Sequence, residues 1–233
     1  MEDASSSLIP FLIMVGFLVL VIAGVQKDLG TMVVIAVIAI TVYFTAGAPW
    51  RHLTLLGIGG TGLFLLLVRI FPYRWQRLTV FLNPELDPQG IGYHINQALL
   101  AIGSGGLFGL GLGHSQQKFN YLPEPAGDSI FAIISEELGF FFAVMLVILF
   151  LALFLQGIKI ARQAPDPFGK LLTVGIMIWI IFQAYINIAA MLSLVPLTGI
   201  PLPFISYGSS SLVMLLIAVG LVVNVSKQTK KEL

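Results

Sequence analysis

Four carboxylates fall within fourteen positions of this chain, at Glu124, Asp128, Glu136 and Glu137. They sit in the run Tyr121-Leu122-Pro123-Glu124-Pro125-Ala126-Gly127-Asp128-Ser129, followed by Phe131 and Glu136-Glu137-Leu138-Gly139. Pro123 and Pro125 fix φ and stiffen the approach. Asp128 stands just before a long apolar run, which gives it two compatible readings. As a helix N-cap, its carboxylate accepts from free backbone N–H groups. As a general base, a carboxylate beside low-dielectric lipid has a raised pKa, suited to taking a proton from a hydroxyl. Glu136 and Glu137 lie about two turns into the apolar run, where an ionisable group is costly and faces a cavity or a partner. Adjacent helix positions diverge by about 100°, so the two cannot face one spot, and one of them is read as structural.

Upstream, Gly103-Ser104-Gly105-Gly106 with Gly109, Gly111 and Gly113 has the glycine density of a phosphate-cradling loop but lacks the Gly-Lys-Ser/Thr ending of one. Tight turns or close helix packing account for the same glycines. Lys118 follows, either as a point charge for a diphosphate or as a partner for one of the carboxylates. Asn187, inside an apolar run, reads as an interhelical hydrogen bond. After Pro196, Pro201 and Pro203 comes Ser206-Tyr207-Gly208-Ser209-Ser210-Ser211, which serves close helix packing or forms the polar wall of a cavity. His52, His94 and His114 show no metal-ligand spacing, and the absence of cysteine removes thiolate metal sites and disulfides.

The elements that position these residues are set by composition. Of the 233 residues, 58% are hydrophobic and 10% charged, against roughly 25% charged in a soluble domain. So few charges cannot cover a water-facing surface, and the net charge of +1 gives no footprint for nucleic acid. A spanning helix needs about 20 mostly apolar residues. Six stretches qualify, at 8–25, 29–45, 53–71, 129–160, 171–195 and 204–225. The first ends at Gln26-Lys27-Asp28; the start Met1-Glu2-Asp3 lacks a basic region and no small-residue cleavage site follows, so it reads as a retained helix. The expected fold is an all-α polytopic membrane protein, a single transmembrane domain over 1–233 with about six transmembrane helices and one long extracellular loop, 72–128.

Within that loop, 91–112 is moderately apolar but interrupted by glycines. Irregular backbone is tolerated at membrane depth only when packed on protein. The segment is therefore a re-entrant or interfacial piece, the preferred reading, or a seventh span. Lys159, Arg162 and Lys170 share a side with Lys227, Lys230 and Lys231, which the positive-inside rule places in the cytoplasm. Both termini are then cytoplasmic and the loop faces outside, with Arg74 and Arg77 against the rule. A seventh span would move these arginines inside and the N-terminus outside. Asp128 is outside in both arrangements.

Four pieces resemble the SEDS family of cell-wall glycosyltransferases, the FtsW, RodA and SpoVE group. Gln26-Lys27-Asp28-Leu29-Gly30 is similar to its Gln-Pro-Asp-Leu-Gly. Gly103 to Gly113 with Ser115, Gln117 and Lys118 is similar to its Gly-rich run ending in Ser-x-Gln-Lys. Tyr121 to Glu124 through Asp128, Phe131 and Glu136-Glu137-Leu138-Gly139 is similar to its Leu-Pro-Glu loop. Ile205-Ser206-Tyr207-Gly208 with Ser210-Ser211 is similar to its Ile-Ser-Tyr-Gly-Gly-Ser-Ser. The match runs over essentially the whole chain, in order, and the Leu-Pro-Glu loop looks closest to the FtsW type.

The resemblance implies a peptidoglycan glycosyltransferase in the bacterial plasma membrane. It polymerises lipid II, the undecaprenyl-diphosphate-linked precursor, on the outer face, during cell division or wall growth, alongside a class B penicillin-binding protein. By resemblance Asp128 is the base that activates the acceptor hydroxyl. Glu124 and Lys118 are candidates for supporting the site or the diphosphate, with Gln117, Ser206 and Tyr207 as further substrate contacts. Divalent-metal help with the diphosphate is chemically compatible, but no ligand set is readable. Ala126-Gly127 stands where the family has His-Thr, Lys27 replaces a Pro and Ser209 a Gly. The family's N-terminal spans, with an extracellular Arg-Trp loop, have no counterpart here, so the chain reads as a fragment, the product of an alternative start or a reduced member. Two other function classes stay open: a flippase for the lipid-linked precursor, which needs no general base, and a non-catalytic scaffold for a penicillin-binding protein.

Overall fold

The structure, a computed structural model, describes residues 4–22, 24, 28–119 and 121–228. Gln26, Lys27, Lys230 and Lys231, used above for a motif and for topology, lie outside the described residues. The described chain is helical: α1 (Ala4–Val21), α2 (Leu29–Thr45), α3 (Trp50–Ile70), α4 (Pro72–Leu82), α5 (Ile91–Ser104), α6 (Ile130–Arg162), α7 (Pro167–Met191) and α8 (Ser209–Gln228). Among the described residues four helices, α3, α6, α7 and α8, are long and apolar enough to cross a membrane, and two shorter apolar helices cover Leu8–Val21 and Gly30–Thr45. The exposed faces are apolar: on α6 alone Phe140, Phe141, Met145, Ile148, Leu149 and Leu155 are all more than half exposed. A helix built this way has lipid as its solvent.

Element ends follow local chemistry. The Asp28 carboxylate caps α2, accepting from Thr31 N at 3.0 Å and from Thr31 Oγ1 at 2.6 Å. Pro72 holds Phe71 extended and so separates α3 from α4. The Asp87 carboxylate accepts from Ile91 N at 3.0 Å and starts α5. The expected last two spans are trimmed: α7 stops at Met191 and α8 starts only at Ser209. Between them Pro196, Pro201 and Pro203 lack an N–H, and Ser193 and Phe204 adopt positive φ, so no helix can run through.

The chain divides into two compact units, residues 1–67, 154–182 and 216–233 in one, and 68–153 and 183–215 in the other. In the first, Val19, Ile22 and Met32 form a buried cluster packed by Val15, Ile35, Phe64 and Leu67. The second unit holds every candidate site residue. Its long segment between α3 and α6 is not an open loop. It carries α4 and α5, and α5 buries Gly92, Ile95, Ala98 and Ala101 along one face. At 1.5 Å per residue its fourteen residues reach roughly 21 Å, short of the ~30 Å hydrocarbon core.

The Gly-rich segment that follows α5 plugs into a break in α6. Gly139 has φ 80 and ψ −178 inside that helix, a region essentially restricted to glycine. The break frees the carbonyls of Glu136 and Glu137 and the N–H groups of Phe140 and Phe141. All four find partners in the glycine run. Leu110 N donates to Glu136 O at 2.9 Å and Gly111 N to Glu137 O at 2.9 Å, while Phe140 N donates to Gly106 O at 2.9 Å and Phe141 N to Leu107 O at 3.3 Å. A Cβ at Gly105 would collide with Ser135 O, one at Gly109 with Glu137 O, and one at Gly139 with Gly109 N. The glycines therefore serve close packing, as one of the two sequence readings holds, and the N–H groups of Leu110 and Gly111 are committed to α6 rather than free for a phosphate.

The interlock is locked by side chains. Glu136, 1% exposed, accepts from Ser115 Oγ at 2.5 Å and from Gln116 N at 3.0 Å. Glu137 Oε1 lies 3.9 Å from Lys118 Nζ. Both glutamates thus serve the same short segment, 115–118, although they diverge on the helix, because that segment is drawn out across both directions. Glu136→Ala strands two donors in the interior and is expected to destabilise the fold by roughly 3 kcal/mol, with Glu136→Gln costing less. Thermal unfolding of the purified variants in one detergent checks the order.

Candidate functional site

Asp128 is presented by a tight turn over residues 123–129. Glu124 takes positive φ (46), and its carbonyl accepts from Gly127 N at 3.0 Å and Ser129 N at 3.3 Å. Such a conformation costs on the order of 1 kcal/mol and persists where surrounding bonds over-determine it. Those bonds come from three directions. Asn187 of α7, 1% exposed, donates from Nδ2 to Asp128 O at 2.7 Å and to Ile200 O at 2.8 Å. Ser206 Oγ donates to Gly127 O at 2.7 Å and accepts from Leu202 N at 2.7 Å. Tyr207 N donates to Ala126 O at 2.8 Å. The 192–208 segment is itself tied down by Gln183 Nε2 to Pro201 O at 2.9 Å and Arg77 Nη1 to Leu197 O at 3.1 Å.

The backbone of Asp128 is thereby pinned while its carboxylate stays available. Among the described residues Ser129 Oγ lies 3.4 Å from its Oδ1, and a Cβ built on Gly199 would lie 3.7 Å from Oδ2. It does not cap α6. The helix begins at Ile130, and the carboxylate accepts from no N–H of its first turn. Of the two readings of Asp128, the capping one is set aside because Ser129 intervenes.

The electrostatics turn on a residue the sequence reading passed over. His94, on the first turn of α5, places Nε2 2.7 Å from Ser129 Oγ. Burial pushes the Asp128 carboxyl above the ordinary aspartate range; His94 and a hydrogen bond from its own backbone N–H pull it down, and Glu124 pushes it up. Burial holds His94 below the usual imidazole range, against the pull of Asp128 and Glu124. A carboxylate destabilised by burial yet not neutralised by an ion pair has the character of a general base. No local signal marked His94: thirty-four positions separate it from Asp128 in sequence, and only the return of the chain along α6 brings them together.

The other expected site residues divide. Glu124 is exposed at the turn, its influence felt by both His94 and Asp128. Ser206 has its hydroxyl proton committed to Gly127 O and accepts from Leu202 N, which ties it to the turn. Tyr207 is 86% exposed and its ring faces outward. Gln117 and Lys118 form the short helical turn Gln117–Phe119 beside Glu137 and make no hydrogen bond or ion pair with Asp128. Gln117 Oε1 is buried without a hydrogen-bond partner. Asn187, expected as an interhelical contact, bonds backbone carbonyls of loops instead. Among the described residues no group of three or more His, Asp or Glu is placed to hold a metal ion.

Comparison with known proteins places this geometry. Residues 1–231 match the family model described as cell cycle protein, FtsW/RodA/SpoVE. The stage V sporulation protein E of Bacillus subtilis is 50% identical over 205 residues, 88% of this chain and 56% of that protein. The probable peptidoglycan glycosyltransferase FtsW of Geobacter sulfurreducens is 37% identical over 226 residues, 97% of this chain and 60% of that protein. Among solved structures, a chain of the one described as "Structural coordination of polymerization and crosslinking by a peptidoglycan synthase complex" aligns with TM-score 0.69 and 28% identity, over 95% of this chain and 61% of that one. The rod shape determining protein RodA of Thermus thermophilus aligns with TM-score 0.60 and 28% identity, over 95% of this chain and 58% of its own. The chain thus spans a little over half the length of the relatives it matches. With apolar helices long enough to cross a bilayer and a family match from end to end, it is an integral membrane protein that belongs to the FtsW/RodA/SpoVE family.

Proposed function

We propose that this chain carries the catalytic half of a peptidoglycan glycosyltransferase that joins lipid II units into glycan strands. The observation that carries the reading is Asp128: its backbone is fixed by Asn187 and by neighbours of Gly127, and its carboxylate is partly buried, raised in pKa and, among the described residues, free of any ion pair with a cation of fixed charge. In the proposed step the 4-hydroxyl of the acceptor sugar attacks the anomeric carbon of the donor. The bond from that carbon to the diphosphate oxygen breaks, the hydroxyl proton passes to the Asp128 carboxylate, and undecaprenyl diphosphate leaves. Names of relatives support it: one is a probable peptidoglycan glycosyltransferase and another belongs to a peptidoglycan synthase complex that couples polymerisation to crosslinking. A class B penicillin-binding protein is the matching partner.

The topology that goes with this reading has six spans, with residues 72–128 outside the cell and α5 re-entrant. His94 lies level with Ser129 at the start of α6, and Gly105 level with Ser135 and Glu136. The chain therefore runs inward beside the first turns of α6, turns at the glycines, and returns to Asp128. Arg77 bonds Leu197, two residues from Gly199 at the Asp128 carboxylate, which favours the arginines and the aspartate on one side.

Lys118, 47% exposed, lies 3.9 Å from Glu137 Oε1 and 5.9 Å from the Phe119 ring centre, and its exposed side is available to an anionic diphosphate. Glu137 itself is buried, so removing the lysine leaves its carboxylate unpaired in the interior, which costs stability. Lys118→Ala is expected to lower thermal stability modestly, by roughly 1–2 kcal/mol, and to raise KM for lipid II by about tenfold. A steady-state titration of lipid II against the variant reads the effect.

The deciding experiment uses proteoliposomes holding this chain, alone and joined to the N-terminal part of a longer relative, with a penicillin-binding partner. Glycan synthesis and transbilayer movement of lipid II are measured on the same vesicles, for wild type and Asp128→Asn. Synthesis lost only in Asp128→Asn supports the polymerase. Movement without synthesis in both forms makes the chain a flippase, and neither activity with retained partner binding makes it a scaffold.

A further inference from the structure

His94 and Ser129 form a pair that the reaction step above does not use, and their geometry fixes the direction of the hydrogen bond between them. A serine hydroxyl has one proton. Three groups surround Ser129 Oγ: Pro123 O at 2.8 Å, His94 Nε2 at 2.7 Å and Asp128 Oδ1 at 3.4 Å. The Pro123 carbonyl can only accept, so it takes the proton at the shorter of the two oxygen distances. The contact with His94 then needs Nε2 to be the donor. Were Nε2 bare, it would draw the Ser129 proton to itself and take from Pro123 O the hydrogen bond that closes the 123–129 turn.

We propose that His94 is a positioning residue for Asp128, acting as a neutral Nε2–H donor that holds the Ser129 hydroxyl on the Pro123 carbonyl. This closes the 123–129 turn from the α5 side, as Asn187 and Ser206 close it from the other. The titratable groups facing His94 are Asp128 and Glu124. Burial opposes a charge on the imidazole, in keeping with a neutral donor. An amide at this position offers the same N–H, so the function belongs to the donor and not to the ring or its charge. The proposal rests on Asp128 being the base.

The test has two arms. In the first, histidine-15N-labelled protein in nanodiscs gives the ring tautomer of His94, assigned by loss of its signals in His94→Gln. At pH 7 the expected state is protonated Nε2 with unprotonated Nδ1, and Ser129→Ala removes that preference. In the second, polymerisation is measured for His94→Gln and His94→Phe. The glutamine variant is expected to lose no more than about threefold in kcat. The phenylalanine variant loses about thirtyfold, with KM within about twofold, since a displaced base costs rate rather than binding. A doubly protonated His94 at pH 7, or equal losses in the two variants, overturns the proposal. If His94→Phe does not fold, the tautomer and its response to Ser129→Ala still decide. Retained synthesis in Asp128→Asn would sink the base while leaving the tautomer result standing, so the two failures are distinguishable.

Discussion

Asp128→Asn is expected to lower glycan synthesis by about 10²–10⁴-fold, the range a positioned general base contributes. The amide is nearly isosteric, and the anchors of this turn hold the backbone, not the carboxylate: Asn187 on Asp128 O, Ser206 on Gly127 O and Tyr207 N on Ala126 O. The fold and the affinity for lipid II should survive, and the loss should fall on kcat. The pH dependence carries a sign. Burial raises the Asp128 pKa, so as pH falls the carboxylate is protonated, and disabled as a base, earlier than a solvated aspartate would be. The acid limb of the wild-type rate therefore lies at higher pH than for an unburied aspartate. In Asp128→Asn the residual rate should show no such limb. Glycan synthesis from lipid II by both forms across about pH 3 to 8, a window spanning the ordinary carboxylate and imidazole values, reads both effects. A variant as active as wild type removes Asp128 from the chemistry.

The second large effect is structural. Gly139→Ala is expected to destabilise the second unit by about 3 kcal/mol or more and to abolish activity although Gly139 has no part in the proposed step. At φ 80 and ψ −178 a Cβ is strained whatever space it has, and here it would also strike Gly109 N and Leu107 O. If α6 escapes by becoming regular, Glu136 O and Glu137 O return to intrahelical partners and residues 106–111 lose four hydrogen bonds at once. On the proposed re-entrant topology those loop groups lie in hydrocarbon with no water to turn to, and each unsatisfied one is costly. Displacement of the glycine run carries α5, and with it His94, away from Ser129. Hydrogen exchange on the nanodisc-embedded variant should show residues 105–113 losing protection while α7 and α8 keep theirs. Full protection with full activity in Gly139→Ala would mean the interlock is dispensable.

Much of this protein is legible in its sequence because lipid imposes a simple rule. Long apolar runs must be helices, since only a helix satisfies its own backbone in hydrocarbon, and α3, α6, α7 and α8 follow from 20-residue arithmetic alone. The chemistry around Asp128 is likewise local, compressed into one short run of chain. What sequence could not decide was partnership over distance. Whether the glycines of 103–113 cradle a phosphate or pack on a helix depends on where the break at Gly139 falls, and a single glycine in an apolar run announces no break. Ser206 reads as a polar wall until its hydroxyl is seen to be committed on both sides. His94 reads as an isolated histidine until the chain is followed down α5 and back up to Ser129. Periodicity and composition report which solvent each residue prefers, and that determined the helices. Which donor meets which acceptor across tens of residues is a property of the folded path, and only the tertiary structure decided it.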